Sequence, residues 1–486
     1  MELVQLLNSV NAIQVMGEVQ RKDVSAIVYD SRKVIKSSVF VAIKGEKFDG
    51  HKFILDAINS GAIAVVLEDN EVIPDEIFIH RSVAKILVKD SRIALAELSR
   101  GFYKDPTSNL KLVGITGTNG KTTTSFFVKN IIETAGRKTG LLGTIVNMIA
   151  DKKIDARLTT PESNDLNNLL MEMINDGCEY AVMEVSSHSL VQKRVYGLDY
   201  KAAVFTNLTV DHLDFHLTLE NYFSAKKILF DNLSDDAVAL YNTDDSYGKE
   251  IVKDTRAKVF SYGKSEDADF FLSNIKFDLD GTRFNITYNG NTYKLSTRLI
   301  GEFNAYNAAA AFATGILIGF DVEDVIKGIE STKQVPGRFE VVGNRKKAII
   351  DYSHTPDSLE KALITLKGIV DSKKPIYTVF GCGGNRDKTK RPVMGKIATQ
   401  LSTKAYVTSD NPRNEDPFAI IDDIVKGISA KNYEIIENRE EAIRKAIITS
   451  EDDAVILIAG KGHEEYQDVK GVRSHFSDKE MALKYL

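Results

Sequence analysis

The stretch KLVGITGTNGKTTT, Lys111 to Thr124, decides how this chain is read. It nearly matches the phosphate-binding loop G-x-x-x-x-G-K-[ST], but Ile115 stands five positions before Gly120, where that pattern asks for glycine. Gly114, Gly117 and Gly120 instead recur every three residues ahead of Lys121 and Thr122. The flanks are those a phosphate loop needs. Leu110 to Thr116 reads as a short apolar strand, and Val128, Ile131, Ile132 and Ala135 follow at helical spacing until Gly136, a helix stop. In a strand, glycine turn and helix, backbone N–H groups converge on phosphate oxygens and the helix presents its positive end. Lys121 would add a point charge and the Thr122 hydroxyl a magnesium ligand. Magnesium beside phosphates also takes one or two carboxylates. Glu184, closing the apolar run YAVME, is the candidate, and Asp211 and His212 follow a second run, AAVFTN.

Working outward, 486 residues are enough for roughly three domains of about 150 residues each. The first part mixes strand-like runs, AIVYDSR and AIAVVLE, with the helically spaced DSRIALAELSRGFY, and ends in a linker, KDPTSNL. From Lys111 strands alternate with helices, which predicts a parallel sheet with crossover helices. A second seam falls near STKQVPGRFE. Beyond it KKAIIDYSH, PIYTVFGCGG, KAYVTSDNP and DDAVILIAGKG supply four apolar strands of a Rossmann-like unit. The expectation is an α/β protein of three domains, 1–108, 109–334 and 335–486: a small N-terminal α/β domain, a central parallel-sheet ATPase-like domain and a C-terminal Rossmann-like domain. Ligands of open α/β sheets lie beyond the carboxyl ends of the strands, and the unusual glycine and polar residues here follow those ends.

Composition excludes several classes. With 43% hydrophobic and 27% charged residues the chain is ordinary for a soluble protein, and no run approaches the ~18 apolar residues of a membrane span. MELVQLLNSVNAIQ lacks the basic and apolar regions of a secretory signal, so a cytoplasmic location is expected. A formal charge of −5 leaves no basic footprint for nucleic acid, and Cys178 and Cys382 alone make neither a disulfide framework nor a structural zinc site.

GITGTNGKTTT, MEVSSHSLVQKRV, FTNLTVDHLDFH, GEFNAYNAAAA, PGRFE, DYSHTPDSL, GCGGNRDKTKRP, DNPRNEDP and AGKGHE follow the order of the Mur ligase motifs. The chain resembles that family, and most closely the members that add the third peptide residue in peptidoglycan synthesis. The shifted loop is the form this family uses. The resemblance implies ATP and Mg2+ as cofactors: the γ-phosphoryl group passes to a substrate carboxylate, an amine attacks the acyl phosphate, and an amide, ADP and phosphate result. Phosphate leaves where oxide would not, so the protein's tasks are alignment and charge neutralisation.

Residue by residue, the resemblance implies an ATP site of Gly117, Thr118, Asn119, Gly120, Lys121, Thr122, Thr123, Asn304, Arg338 and His354. It implies metal ligation by Thr122, Glu184, His212 and Lys226, and catalytic roles for Lys121, Lys226 and His212. Lys226 matches a lysine that is carbamylated in related enzymes. Helical spacing by itself does not separate it from Lys227, because Tyr222, Lys226 and Leu229 share one face and Phe223, Lys227 and Phe230 another. For the acceptor, UDP-N-acetylmuramoyl-L-alanyl-D-glutamate, the implied residues are Tyr29, Ser31, Thr159, Thr160, Ser186, Gln192 and Arg194. For diaminopimelate they are Arg386, Asp410, Asn411, Pro412, Arg413, Gly460 and Glu464, whose two cations and two carboxylates would suit an amino-acid zwitterion. Thr355 also reads as a helix cap with Pro356 at the first helical position. The expected partners are therefore this acceptor and a diamino acid, with no nucleic acid, no membrane span and a monomeric enzyme. Three alternatives stand beside diaminopimelate addition: the same ligase adding L-lysine or lanthionine, a folylpolyglutamate synthetase-like ligase, and a nucleotide-dependent switch. The N-terminal domain and DNPR favour the first reading, since the family's lysine-adding members usually depart from DNPR.

Overall fold

Strand Lys111–Thr116, buried from Leu112 onward, lies inside an eleven-stranded sheet. Its neighbours Tyr180–Glu184 and Ala202–Phe205 run parallel to it, pairing Glu184 with Ile115 and Phe205 with Thr116. The carboxyl ends of all three therefore reach one rim. Parallel strands covered on both faces read as continuous apolar runs rather than alternating ones, as these do. Thr139–Leu142 adds to one side and Val238–Asn242 and Lys258–Gly263 to the other, all parallel. Antiparallel strands extend both edges. Helix Lys121–Thr134 ends as expected, with Gly136 at φ +77° beyond it, and buries Phe127, Val128, Ile131 and Ile132 against helices Glu302–Leu317 and Val322–Ser331. Leu166, Leu170 and Met173 of helix Ser163–Asn175 and Tyr222, Leu229 and Phe230 of helix Leu219–Asp231 cover the opposite face.

The computed structural model describes residues 1–45, 48–344, 346–370 and 374–486. In the N-terminal domain, parallel strands Ala26–Val28, Ser38–Val41, Ala62–Leu67 and Ala84–Val88 form a sheet that Ala12–Met16 joins antiparallel. Helix Ser91–Phe102 forms where its apolar spacing predicts, capped by Asp90, whose carboxylate accepts from the N–H groups of Arg92 and Ile93. In the C-terminal domain the four predicted strands appear as Lys347–Asp351, Ile376–Phe380, Lys404–Val407 and Val455–Ala459. They run parallel, with the last inserted between the first two. The three-domain α/β expectation holds. Among the described residues no helix is long and apolar enough to cross a membrane.

Candidate active site

The loop after Lys111–Thr116 needs two of its three glycines for its shape. Gly117 sits at φ +147° and Gly120 at φ +89°. A Cβ on Gly117 would fall 1.9 Å from Thr206 Oγ1, and one on Gly120 would fall 2.4 Å from Asn307 Oδ1. Gly114 is different: it lies in the strand, where a Cβ would meet the Tyr200 ring at 2.7 Å. The spacing of three therefore joins a packing glycine to two loop glycines. Asn207 latches the loop, its carbonyl accepting the Thr118 N–H at 2.8 Å and its side-chain oxygen the Asn119 N–H at 2.9 Å. That leaves the first-turn N–H groups of helix Lys121–Thr134, which have no intrahelical acceptor, able to donate to an anion. Lys121 Nζ is folded back onto the carbonyls of Gly117 and Thr118, 2.9 Å from each. Burial, with a further push from Arg338, pulls its pKa below the usual lysine value against the attraction of Glu184 and Asp211. Thr123 is buried in the same first turn.

Thr122 Oγ1 donates to Glu184 Oε2 at 3.0 Å, and Arg338 Nη2 donates to Thr122 Oγ1 at 3.2 Å. Thr144 fixes the same carboxylate, its N–H to Oε1 at 2.9 Å and its hydroxyl to Oε2 at 3.0 Å. Glu184 is thus committed to the loop. A hydroxyl and a carboxylate oxygen side by side are hard donors of the kind Mg2+ prefers, so these residues fit the ion. Thr159 approaches through Thr144, hydroxyl to hydroxyl at 3.0 Å. His212 faces solvent with 42% of its side chain exposed, 3.5 Å from Asp211. Its pKa falls to about 4, chiefly because the ring is partly buried, and Lys121 adds to the shift while Asp211 opposes it. A ring with so low a pKa is neutral at physiological pH, the form able to ligate a cation.

The structure separates the two lysines that helical spacing left together. Lys226 is 1% exposed; its Nζ reaches Gly117 O at 2.8 Å and lies 4.4 Å from the centre of the Tyr222 ring. Burial, reinforced by the nearby Lys121 charge, holds its pKa well below the ordinary lysine value. Lys227 turns the other way and pairs with Asp231 and, at 2.7 Å, Asp254. Burial is the largest single influence and works against its charge, but the hydrogen bonds and attraction of Asp231 and Asp254 together outweigh it and raise its pKa overall.

Three more residues of the implied nucleotide set lie at or near the interface with the C-terminal domain. Arg338 stacks 4.5 Å above the Tyr352 ring, and His354 Nδ1 contacts Tyr352 O at 2.8 Å. Asn304 stands back: its amide donates to Ile300 O at 2.9 Å and its oxygen accepts from Asn307 at 3.1 Å. It supports the loop through Asn307. Asn119 bridges the domains by donating to Asp357 Oδ2 at 3.1 Å. Asp357 belongs to helix Pro356–Ile369, whose predicted cap is a full capping box between Thr355 and Ser358.

On the acceptor side, Thr160 Oγ1 donates to Glu184 O at 2.7 Å, and Arg194 donates to Thr160 O at 3.0 Å and to Gln192 Oε1 at 2.6 Å while pairing with Glu162 at 2.9 Å. Ser186 caps helix Ser187–Val191. Tyr29 of the N-terminal domain donates to Asp165 Oδ2 at 2.5 Å, and the neighbouring Ser31 opens a short 3-10 turn capped by Asp30. Tyr29, Thr160 and Arg194 are thereby gathered at the N-terminal end of helix Ser163–Asn175, through Asp165 and Glu162.

A cleft of about 630 Å³ joins the halves. Asp211 and His212 line one part of it, and Arg386, Asp410, Arg413 and Glu464 another. Arg413 Nη1 donates to Gly384 O at 2.8 Å, and Asn411 Nδ2 donates to Glu464 Oε2 at 2.7 Å. Pro412 lies between them in sequence, and Gly460, at φ +120°, lies where a Cβ would meet Asp410 Oδ2 at 2.6 Å. The sequence reading missed Lys461. Fully buried, it donates to Asn411 Oδ1 at 3.1 Å and Glu464 Oε2 at 3.4 Å, with Asp410 at 3.9 Å. Burial, then the nearby Asp410, raises the Glu464 pKa.

Comparison with known proteins agrees with this geometry. The Mur ligase middle domain matches residues 115–315, the glutamate ligase domain of Mur ligases 337–462, and the Mur ligase family catalytic domain 23–103. The chain is 44% identical over 466 residues to UDP-N-acetylmuramoyl-L-alanyl-D-glutamate--2,6-diaminopimelate ligase of Clostridium tetani, covering 94% of each. It is 44% identical to the protein of the same name in Cytophaga hutchinsonii, covering 99% of this chain and 98% of that one. A solved structure of such a ligase superposes over 100% of this chain and 99% of its own at a TM-score of 0.71 and 31% identity. With these matches across all three domains, the chain belongs to the Mur ligase family.

Proposed function

We propose that the chain joins diaminopimelate to UDP-N-acetylmuramoyl-L-alanyl-D-glutamate at the cost of ATP. The observation that carries this reading is the cleft in which the loop's partners and the charged rim of the C-terminal domain face one space. Attack on an activated carboxylate needs its amine within about 3 to 3.5 Å, and a cleft lined from both domains can hold the two reactants at that range.

In this reading the boundaries fall at 108 and 334, and all three domains contribute to binding the substrates. Tyr29 and Ser31 lie toward the uridine end of the acceptor, and Thr159, Thr160, Ser186, Gln192 and Arg194 hold its peptide end. Gly117 to Thr123 cradle the phosphates, Lys121 swings from its loop carbonyls to the transferring oxygens, and Arg338 and His354 close the nucleotide site. Thr122 and Glu184 would help hold one Mg2+ and His212 a second, and the ions would supply charge neutralisation when bound. Lys226 is the fourth donor after carbamylation: its neutral amine adds to the carbon of CO2, an N–C bond forms and one proton leaves. The low pKa of Lys226 supports this, since the unprotonated amine is the reactive form.

Arg386 and Arg413 receive the distal carboxylate of diaminopimelate, and Glu464 its ammonium, with Asp410, Asn411, Pro412 and Gly460 shaping the rim. In this reading the enzyme is cytoplasmic, in keeping with ATP and a nucleotide sugar as its substrates, and works as a monomer. The test is product mass spectrometry with the UDP-muramoyl-dipeptide, ATP, Mg2+ and a panel of meso-diaminopimelate, L-lysine and lanthionine. A product carrying diaminopimelate, with ADP release requiring both acceptor and amino acid, is the expected result. ADP release at full speed without either would contradict the reading.

A further inference from the structure

Arg391 is the second residue of helix Lys390–Leu401 and is fully buried. Burying a guanidinium is expensive unless it is paired and hydrogen-bonded, and this one is both. Its Nη1 and Nη2 form a two-pronged pair with Glu415 at 3.0 Å each, Nη1 also reaches Asp423 Oδ2 at 3.0 Å, and Nη2 donates to Gly383 O at 3.3 Å. The Arg391 hydrogen bonds bring the Glu415 carboxyl down to about 2. Nothing in the proposed chemistry uses this pair, and Arg391 is not among the residues lining the cleft.

What the pair touches gives it a role. Glu415 also accepts from the Asn385 N–H, so Arg391 and Glu415 together grip the turn at 383–385 from both ends. That turn is laid against the segment carrying Arg413: Gly384 donates to Asn411 O at 2.9 Å, and Asn414 donates to Asn385 Oδ1 at 3.1 Å. Its Gly384 carbonyl is the one that accepts from Arg413 Nη1. Arg413 itself sits at φ +51°, a left-handed conformation that is strained for a non-glycine residue and persists only where its surroundings fix it.

We propose that Arg391 is a positioning residue for the amino-acid subsite: acting through Glu415 and Gly383, it fixes the glycine turn on which the Arg413 guanidinium rests. The inference depends on the reading above that Arg413 receives the distal carboxylate.

The test is a double-mutant cycle on the full-length enzyme. Arg391→Lys keeps the charge but loses the planar fork, and Glu415→Gln keeps the shape but loses the ionic acceptor. Either change should raise the KM for meso-diaminopimelate about tenfold, the effect of one weakened charge-assisted hydrogen bond, and leave the KM for ATP unchanged. In an Arg413→Ala background the same change should have less than about twofold effect, because residues acting as a unit are not additive. Should Arg391→Lys fail to fold, Glu415→Gln alone carries the cycle. An equal rise in both backgrounds, an equal rise for ATP, or no rise would overturn the inference. Arg413→Ala without effect on diaminopimelate would sink the subsite reading and this inference with it. An effect of Arg413→Ala with none from Arg391→Lys or Glu415→Gln would sink this inference alone.

Discussion

Lys226 Nζ lies 2.8 Å from the carbonyl oxygen of Gly117, so a lysine from helix Leu219–Asp231 touches the phosphate loop itself. Lys227, one residue on, pairs with Asp231 and Asp254. Lys226→Ala should therefore abolish ligation. Lys227→Ala should retain it and change stability by only ~0–1 kcal/mol, as for other ion pairs near the surface. Steady-state assays with and without added bicarbonate check this. An unmodified Lys226 in fully active enzyme, seen by intact mass, would refute the carbamate assignment.

Lys121 makes its two side-chain hydrogen bonds to the loop's own carbonyls, so its removal leaves the backbone cradle and the Glu184 contacts standing. Lys121→Ala should lower kcat by ~100-fold or more, the effect typical of deleting one electrostatic stabiliser of the transition state. Its melting temperature should be near wild type. Near-normal turnover at saturating ATP would remove Lys121 from the chemistry.

Two glycine replacements should part company. Gly117→Ala places a methyl group 1.9 Å from Thr206 Oγ1, so the loop must move and ATP binding should be lost. Gly136→Ala, with no atom within 4 Å, should keep full activity. The strained φ of +77° there costs about 1 kcal/mol. Nucleotide titration and thermal melts of the two variants separate these outcomes.

Much of this was legible in the sequence because the loop is contiguous: Gly117, Gly120, Lys121 and Thr122 act within one turn, and neighbours in sequence are neighbours in space. Gly114 was grouped with them by spacing alone, since nothing local reveals the Tyr200 ring packed on it. Asn207 and Lys461 stayed hidden for the same reason. Asn207 reaches a partner 88 residues away, and Lys461 one 50 residues away. Lys226 and Lys227 could not be told apart by helical spacing, because Asp254, one of the two carboxylates that claim Lys227, lies outside its helix. The parallel sheets were readable from their apolar runs, but the placing of Val455–Ala459 between Lys347–Asp351 and Ile376–Phe380 is a tertiary fact.

The raised Glu464 pKa predicts a pH dependence. This carboxyl must be ionised to take an ammonium, and burial and Asp410 hold its pKa above the usual carboxylate value. The KM for diaminopimelate should fall as pH rises through that raised pKa and then level off. The sign for stability is opposite: the folded state keeps the proton longer than the unfolded one, so the group's contribution to stability is lost as pH rises through the same window. Glu464→Gln should flatten this limb of the KM profile. An unchanged limb in that variant would assign it to another group.

The central claim is that Arg386 and Arg413 read a distal carboxylate, and the ratio of kcat/KM for meso-diaminopimelate to that for L-lysine tests it most directly. Lysine lacks the distal carboxylate; because Arg386 is exposed and Arg413 half-buried, the loss is that of a charge-assisted hydrogen bond rather than of a buried ion pair, ~1.5 to 3 kcal/mol, or roughly 10- to 150-fold. The account predicts a ratio in that range for the wild type, narrowed in Arg413→Ala with the KM for ATP little changed. Equal kcat/KM for the two amino acids in the wild-type enzyme would contradict it.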